Sequence, residues 1–345
     1  MERIDGLKQL IRSEEYRNAL GLPKEVTEQY ELLAQGEYNI NYYFEHPRTG
    51  QKLLLRINCG SQMHLEHQIE YEANALKFLE CSNRTPKVYY VDGSKRYLDY
   101  GILVMQYLPG GELNYETQLV TAAECLADIH SVLLTPQERE SLIFPKDPLA
   151  AIIEECEAMF FVYETSQLAD ASVKNRIRTL LNAGKKMLEE FKKEESEVDR
   201  RHFCLINTEL NSTNFLVDEE KRTCFLVDWE KPLYGEPAQD LGHFLAPTTT
   251  FWKTDIIFSK EQQKEFVAEY IRKVNGRFDT IGLWERVSQF ITITCLRGLT
   301  WCAMAWVEYQ QPDKLIFNES TKLKLESYLS EEFLDIIGKN FRPYL

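Results

Sequence analysis

The chain has 345 residues, of which 44% are hydrophobic and 27% are charged, so it is neither largely disordered nor fibrous. Its formal net charge of −14 argues against binding to duplex nucleic acid or to an anionic membrane surface, because both attract basic patches. The same balance favours a soluble cytoplasmic protein, or one with a cationic substrate.

The cysteines and the most apolar segment bear on the cellular compartment. No two of the eight cysteines form a C-x-x-C pair, which argues against a zinc ribbon. The N-terminal segment is charged throughout and does not resemble a signal peptide, so we expect reduced thiols. Residues 287–307 are apolar, but Arg297 interrupts them, and a central arginine is costly in a membrane span. We therefore predict a buried core helix there and no membrane insertion.

The first third of the chain predicts a small sheet with one helix. Residues 1–34 are charged and indicate a helical extension. The helix after the second strand is expected over 65–80, where apolar residues recur every three or four positions. Short β-branched or aromatic runs separated by turn residues predict strands at 41–44, 52–57, 87–92 and 101–108.

A Pro-Gly-Gly sequence at 109–111 ends this pattern, and the remainder is mostly helical. One β-rich segment, at 203–229, interrupts the helices. The sequence therefore predicts an α+β protein, with an N-terminal lobe over 1–108 and a helical C-terminal lobe over 109–345. The predicted helices are 118–134, 148–167, 172–196, 260–275, 281–309 and 320–338.

Residues 205–230 contain the polar residues with the clearest chemistry. Two apolar runs flank the turn D-E-E-K-R and predict a β-hairpin, with Asn214 starting its first strand and Asp228 ending its second. Both would then lie at the same end of the hairpin, and Glu209 precedes Asn214 by five residues. Phosphoryl transfer uses such a set, because hard oxygen ligands hold divalent ions and an acid orients the attacking hydroxyl.

The sequence around these residues resembles that of the aminoglycoside phosphotransferase and choline kinase superfamily. Members of this superfamily are small-molecule kinases with a protein-kinase-like bilobal fold. The family's catalytic loop, H-G-D-x-x-x-x-N, aligns with Asn207, Thr208, Glu209 and Asn214, and its D-W-E motif begins at Asp228. The resemblance implies that Glu209, Asn214 and Asp228 are catalytic, and that Asn214 and Asp228 bind Mg²⁺.

Two further matches are interpreted as structural. Asp240 corresponds to the acid of the family's D-L-A stretch, and we expect it to bond loop backbone. His130 ends a helix that resembles the family's L-H-S sequence, and we expect a packed core histidine.

The resemblance extends to the N-terminal lobe and implies ATP binding there. Arg56 occupies the position of the strand lysine that contacts phosphates, and an arginine fork can bind phosphate in two places. Glu72, in the next helix, should pair with Arg56. The other implied nucleotide contacts are Gly36 and Asn39 in the covering hairpin and Met105, Gln106 and Leu108 before the Gly-Gly.

Two departures from the family leave a second reading open. Glu209 stands where the family has aspartate, and Asn207 stands where it has histidine. Glutamate keeps the carboxylate but adds a methylene, and positioning matters strongly in such reactions. We favour an active enzyme, since a carboxylate can still accept the hydroxyl's proton. The alternative is a pseudokinase that binds nucleotide without turnover.

The substrate is expected to be a small molecule with a hydroxyl group. An aromatic helix resembles that of choline and ethanolamine kinases and could hold a cationic amino alcohol by cation–π attraction, although aromatics at helical spacing usually pack a core. An aminoglycoside would instead need carboxylates such as Glu230. The sequence does not indicate an oligomeric state. The candidate aromatic residues are Trp252, Trp301, Trp306 and Tyr309.

Overall fold

The computed structural model describes residues 4–36, 38–194, 201–310 and 318–345. The chain forms two compact units. The first comprises 1–143, 204–208 and 213–234, and the second comprises 144–203, 209–212 and 235–345.

The first unit is built on a five-stranded antiparallel sheet. The strand order is β1-β2-β3-β5-β4. The central strand, β3, pairs residue for residue with both of its neighbours, which fixes the face that each side chain occupies. The strands are β1 (Glu31–Gln35), β2 (Asn39–Glu45), β3 (Lys52–Asn58), β4 (Val88–Asp92) and β5 (Gly101–Gln106).

Helices and short strands complete this unit. The helices are α1 (Leu7–Arg12), α2 (Glu14–Leu20), α3 (Gln68–Leu79), α4 (Leu119–His130) and α5 (Pro136–Glu140). The strands β6 (Gly111–Glu112), β8 (Phe215–Asp218) and β9 (Thr223–Leu226) form a second antiparallel sheet. The strands β7 (Cys204–Ile206) and β10 (Leu233–Gly235) pair with each other.

The second unit is helical, and its central helix is α11. Most of α11 is buried, and it packs against α6, α8, α9 and α12. It is long and apolar enough to cross a membrane by length and composition, but 72% of its most apolar window is buried inside the protein. The helices are α6 (Pro148–Thr165), α7 (Ala171–Glu194), α8 (Pro237–Leu245), α9 (Pro247–Lys253), α10 (Lys260–Val274), α11 (Leu283–Tyr309), α12 (Glu319–Tyr328) and α13 (Glu331–Phe341).

The structure corrects two predicted helices. Residues 1–34 are not wholly helical. Helix α2 ends at Leu20, because Gly21 after it has a left-handed backbone, and the chain is extended by the time it reaches β1. The helix predicted over 320–338 is two helices. Ser330 leaves the helical conformation and its side chain accepts a hydrogen bond from Phe333 N, which caps the start of α13.

Candidate active-site residues

A buried ion pair joins strand β3 to helix α3. Arg56 Nη1 lies 2.6 Å from Glu72 Oε1, and the two side chains are 9% and 1% exposed. The predicted pairing is therefore confirmed. The second carboxylate oxygen, Glu72 Oε2, is buried and has no hydrogen-bond partner among the residues that the structure describes. Asn41 Oδ1 accepts a further hydrogen bond from Arg56 Nε at 3.2 Å.

Three carboxylates act on the Arg56 guanidinium. Burial alone lowers the pKa of Arg56, but Glu72, Asp228 and Glu230 more than offset this, and the net pKa is raised. Burial raises the pKa of Glu72, and Arg56 lowers it in part. Arg56 therefore stays charged. Three carboxylates surround this one guanidinium, and their excess negative charge favours binding of a further cation.

Asn214 and Asp228 flank the hairpin of β8 and β9 at the same end, as the sequence predicted. Asn214 ends a short 3₁₀ turn before β8, and its carbonyl oxygen accepts a hydrogen bond from Val227 N at 2.8 Å. Asp228 lies two residues beyond β9 rather than on the strand. Asp228 has a left-handed backbone, with φ of 63°, so it is not part of the extended strand.

The Asp228 side chain faces the ion pair while remaining accessible. It is 40% exposed, and its Oδ1 lies 3.5 Å from Arg56 Nη1. Together, the Asp228 carboxylate and the Asn214 amide supply hard oxygen atoms of the kind that Mg²⁺ prefers. The residues present therefore fit the divalent ion that the resemblance implies.

Hydrogen bonds to backbone carbonyls hold the D-W-E segment in place. Asn207 Nδ2 donates to Asp228 O at 2.8 Å, and Thr208 Oγ1 donates to Lys231 O at 2.8 Å. The Trp229 side chain is fully buried and donates from Nε1 to Leu226 O at 3.0 Å. These hydrogen bonds and the buried indole ring fix the backbone position of Asp228.

Glu230 is bonded to Asn39, the first residue of strand β2. Asn39 Nδ2 donates to Glu230 Oε2 at 2.5 Å, although sequence analysis placed these residues in nucleotide and acceptor binding respectively. Gly36 N–H donates to Asn39 O at 2.8 Å. A Cβ added at Gly36 would make only an ordinary contact, so packing does not demand glycine there.

The segment expected to contact adenine, residues 105–108, lies at the end of strand β5 and just beyond it. Met105 and Leu108 are buried. The N–H of Gln106 already donates to Lys87 O at 2.8 Å, and that of Tyr107 donates to Lys52 O at 3.1 Å. The backbone N–H groups of Gln106 and Tyr107 are therefore already engaged within the protein.

In the second unit, Glu209 lies beside two basic residues. His243 Nδ1 lies 2.9 Å from Leu210 O, and because a carbonyl only accepts, the ring donates and anchors the residue after Glu209. Arg297, on α11, is held by both carboxylate oxygens of Glu155 at 2.8 and 3.1 Å. Burial lowers the pKa of Arg297, but Glu155 and then Glu209 raise it overall. Arg297 and Glu209 are therefore close enough to interact electrostatically.

The candidate aromatic residues do not all come together. Trp252 and Trp301 meet edge to face, with ring centroids 5.3 Å apart, and Trp301 is 39% exposed. Trp306 instead packs against Tyr163 at 5.9 Å, on the α6 side of the helix. Tyr309 is half-buried at the end of α11.

Next to Trp252, a lysine side chain of the protein itself already lies over the face of the Phe251 ring. Lys324 Nζ lies 3.6 Å from the centroid of the Phe251 ring and 3.1 Å from Asp255 Oδ1. Sequence reasoning missed this lysine, as it missed the roles of His243 and Arg297, because no local motif marks them. The only signal for Arg297 was a charge inside an apolar helix.

The residues interpreted as structural are buried. His130 is 0% exposed at the end of α4, which agrees with a core histidine. Asp240 is also 0% exposed and lies in the first turn of α8, where a negative charge is favoured by the helix dipole. The eight cysteines are free thiols.

Comparisons with known proteins agree with this arrangement. The sequence matches the phosphotransferase enzyme family over residues 29–290. No curated protein gives a significant match.

Similar solved structures include three small-molecule kinases. Choline kinase from Cryptosporidium parvum Iowa II is 13% identical, with a TM-score of 0.63, and the match covers 94% of this chain and 96% of that one. Plasmodium vivax ethanolamine kinase is 15% identical, with a TM-score of 0.59 and coverage of 93% and 85%. An amicoumacin kinase in complex with AMP-PNP and Ca²⁺ is 13% identical, with a TM-score of 0.59 and coverage of 95% and 96%. The predicted protein-kinase-like α+β fold is therefore confirmed.

Proposed function

Because the chain belongs to the phosphotransferase enzyme family, we propose that it transfers the γ-phosphate of ATP to a hydroxyl group of a small molecule. The observation that carries the proposal is the buried Arg56–Glu72 pair with Asp228 of an intact D-W-E motif beside it. A nucleotide and a divalent ion in the amicoumacin kinase structure support the choice of ATP and Mg²⁺.

Each proposed role follows from the charge and position of the residue. Arg56, fixed by Glu72, would bind the phosphates of the nucleotide through its guanidinium fork. Asn214 and Asp228 would hold Mg²⁺, which when bound neutralises charge on the phosphates. Residues 1–108 would then be the nucleotide-binding lobe and 109–345 the lobe that carries the acceptor site. We also propose that the protein acts in the cytoplasm.

Glu209 is the proposed base that orients the acceptor hydroxyl and takes its proton. The charge of Arg297 supports this role, because the arginine attracts the carboxylate group of Glu209 electrostatically. The bond from His243 to Leu210 O restrains the loop that carries it. A longer side chain on a restrained loop can still meet the positioning requirement.

The acceptor is proposed to be an amino alcohol or an aminoglycoside. The exposed Trp301, packed on Trp252, supports an amino alcohol, because an indole face attracts an ammonium group. Trp306 is a weaker candidate, since Tyr163 covers part of it. Glu230 is also weaker as an acceptor-binding carboxylate, because Asn39 already engages it.

A second candidate function is nucleotide binding without turnover. The observation that favours it is that two residues of the family's catalytic loop are replaced. Glu209 stands where the family has aspartate, and Asn207 stands where it has histidine. The intact ion pair and D-W-E motif favour the active enzyme instead.

The test is ATP consumption measured over amino alcohols, aminoglycosides, sugars and nucleosides. We expect turnover with at least one class, and its loss in Glu209→Gln while binding of Mg-ATP persists. Glu265→Gln, an exposed substitution on α10, is the matched control and should behave as wild type. Wild-type protein that binds Mg-ATP but phosphorylates nothing would support the second candidate. Normal turnover in Glu209→Gln would remove Glu209 from the chemistry.

A further inference from the structure

A chain of buried amide side chains reaches Glu230 from the nucleotide-lobe sheet. Asn39 and Asn58 are directly paired across β2 and β3, and they are 7% and 9% exposed. Asn58 Nδ2 donates to Asn39 Oδ1 at 2.9 Å and to Gly60 O at 2.8 Å. Asn39 Nδ2 then donates to Glu230 Oε2.

The direction of these hydrogen bonds is fixed by the groups at the two ends. The Gly60 carbonyl can only accept, so Asn58 must present its NH₂ group. That group also reaches Asn39, which must therefore present its oxygen to Asn58 and its own NH₂ group to Glu230. The arrangement requires an acceptor at position 230, and a carboxylate is the stronger acceptor.

A second contact fixes the backbone of the same residue. Gln68 Nε2, at the start of α3, donates to Glu230 O at 2.7 Å, and Gln68 is 4% exposed. Glu230 is thus bonded to Asn39 at the start of β2 and to Gln68 at the start of α3. Strand β2 pairs with β3, which carries Arg56, and α3 carries Glu72. The residue two positions before Glu230 is Asp228.

We propose that Asn39, supported by Asn58, is a positioning residue that ties the D-W-E segment to the sheet through Glu230, and so sets Asp228 beside the Arg56–Glu72 pair. Under this assignment Glu230 acts through its neighbours and is not a recognition group for the acceptor. The nucleotide readout below rests on the proposed function, whereas the unfolding readout does not.

The test exchanges the donor and the acceptor. Asn39→Asp places a second carboxylate against Glu230, and like charges held in contact repel strongly. We expect Mg-ADP affinity to fall by about tenfold or more, and the midpoint of thermal unfolding to fall as well. The double variant Asn39→Asp with Glu230→Gln restores a hydrogen bond with its direction reversed, because the amide introduced at position 230 would donate to the carboxylate introduced at position 39. It also has the net charge of the wild type, and it should recover most of both losses.

Controls separate this contact from a general effect of charge. Asn18→Asp makes the same substitution at an exposed position on α2 and should leave both readouts unchanged. ADP without Mg²⁺ should bind the Asn39→Asp variant with less loss than Mg-ADP, because the proposed defect acts through Asp228.

Each outcome decides the proposal. Unchanged Mg-ADP binding in Asn39→Asp would overturn it, and so would a double variant no better than Asn39→Asp in both readouts. If the wild type bound no nucleotide at all, the proposed function would fail. Rescue in the unfolding midpoint alone would then support the tie between Asn39 and Glu230, and absence of rescue would reject it.

Discussion

Asn207 donates a hydrogen bond from its side chain to the backbone carbonyl oxygen of Asp228, across a distance of 2.8 Å. Asn207 is 1% exposed, and Asp228 has a left-handed backbone, which aspartate adopts more often than most residues but still at an energetic cost. The amide therefore supports a strained residue at the position proposed to bind the metal ion. Such strain commonly clusters at functional sites.

Replacing Asn207 with alanine should disturb stability and metal-dependent binding together. The loss of one buried hydrogen bond is expected to lower the free energy of unfolding by about 1 kcal/mol. Mg-ADP binding should weaken because Asp228 loses its support. Chemical denaturation and calorimetry measure the two effects, with Asn175→Ala on the exposed face of α7 as the control. Wild-type binding of Mg-ADP by Asn207→Ala would contradict this role.

Substitutions at Asp228 should separate backbone strain from metal binding. Both Asp228→Gly and Asp228→Ala remove the carboxylate, so both should lose Mg²⁺-dependent nucleotide binding. Glycine adopts the left-handed backbone without the steric cost of a Cβ, which is about 1 kcal/mol. The glycine variant should therefore be the more stable of the two by about that amount. Equal free energies of unfolding would show that φ at this position is not strained in solution.

The Arg56–Glu72 pair should affect nucleotide binding unequally. Arg56→Ala removes the group proposed to contact phosphate, whereas Glu72→Ala acts only through Arg56, so the first should weaken ATP binding more. Both should unfold more easily, since leaving one partner of a buried pair alone costs about 3–5 kcal/mol. Equilibrium binding of ATP is the deciding measurement. An Arg56→Ala protein that folds and retains wild-type affinity would exclude Arg56 from phosphate binding.

Stability should depend on pH through His243. Burial, and then the charge of Arg297, lower the pKa of His243 below its usual value of 6.5. Below that pH the unfolded chain takes up a proton that the folded chain does not, so stability falls as the solution is acidified. His243→Asn can keep the hydrogen bond to Leu210 O but does not titrate.

The variant should therefore lose less stability than wild type between about pH 7.5 and about pH 5.5. The difference is limited to about 1.4 kcal/mol per pH unit for one proton. His64→Asn, at an exposed position with a left-handed backbone, is the control. Parallel pH profiles of wild type and His243→Asn would show that His243 titrates normally.

Much of the fold could be predicted because local patterns carried it. The helix over 65–80 and the hairpin before Asp228 follow from apolar spacing and turn residues, and both are present as α3 and as β8 with β9. Strand β1 was missed because its sequence, E-L-L-A-Q, has no β-branched residue and lies exposed at the edge of the sheet. Helices α8 and α9 were missed because each is short, at 9 and 7 residues, and shows too few turns for an apolar periodicity.

The candidate site could be predicted only where residues follow a motif. Arg56 and Glu72 are 16 positions apart on adjacent elements, and the family pattern identifies both. Asn39 and Glu230 are 191 positions apart, and no local signal links them. The partnership of Arg297 with Glu155 likewise depends on how α11 packs against α6, which tertiary structure alone decides.

The N-terminal helices complete the hydrophobic core of the first unit. Leu7, Leu10 and Tyr16 are 0% exposed and pack in one cluster with Phe44 and Leu55 of the sheet. The match to the family begins only at residue 29. The hydrophobic core of the first unit therefore includes residues that lie before the region shared with the family. Trimming an expression clone to the shared region would uncover one face of the sheet, and any family member without these helices must cover that face by other means.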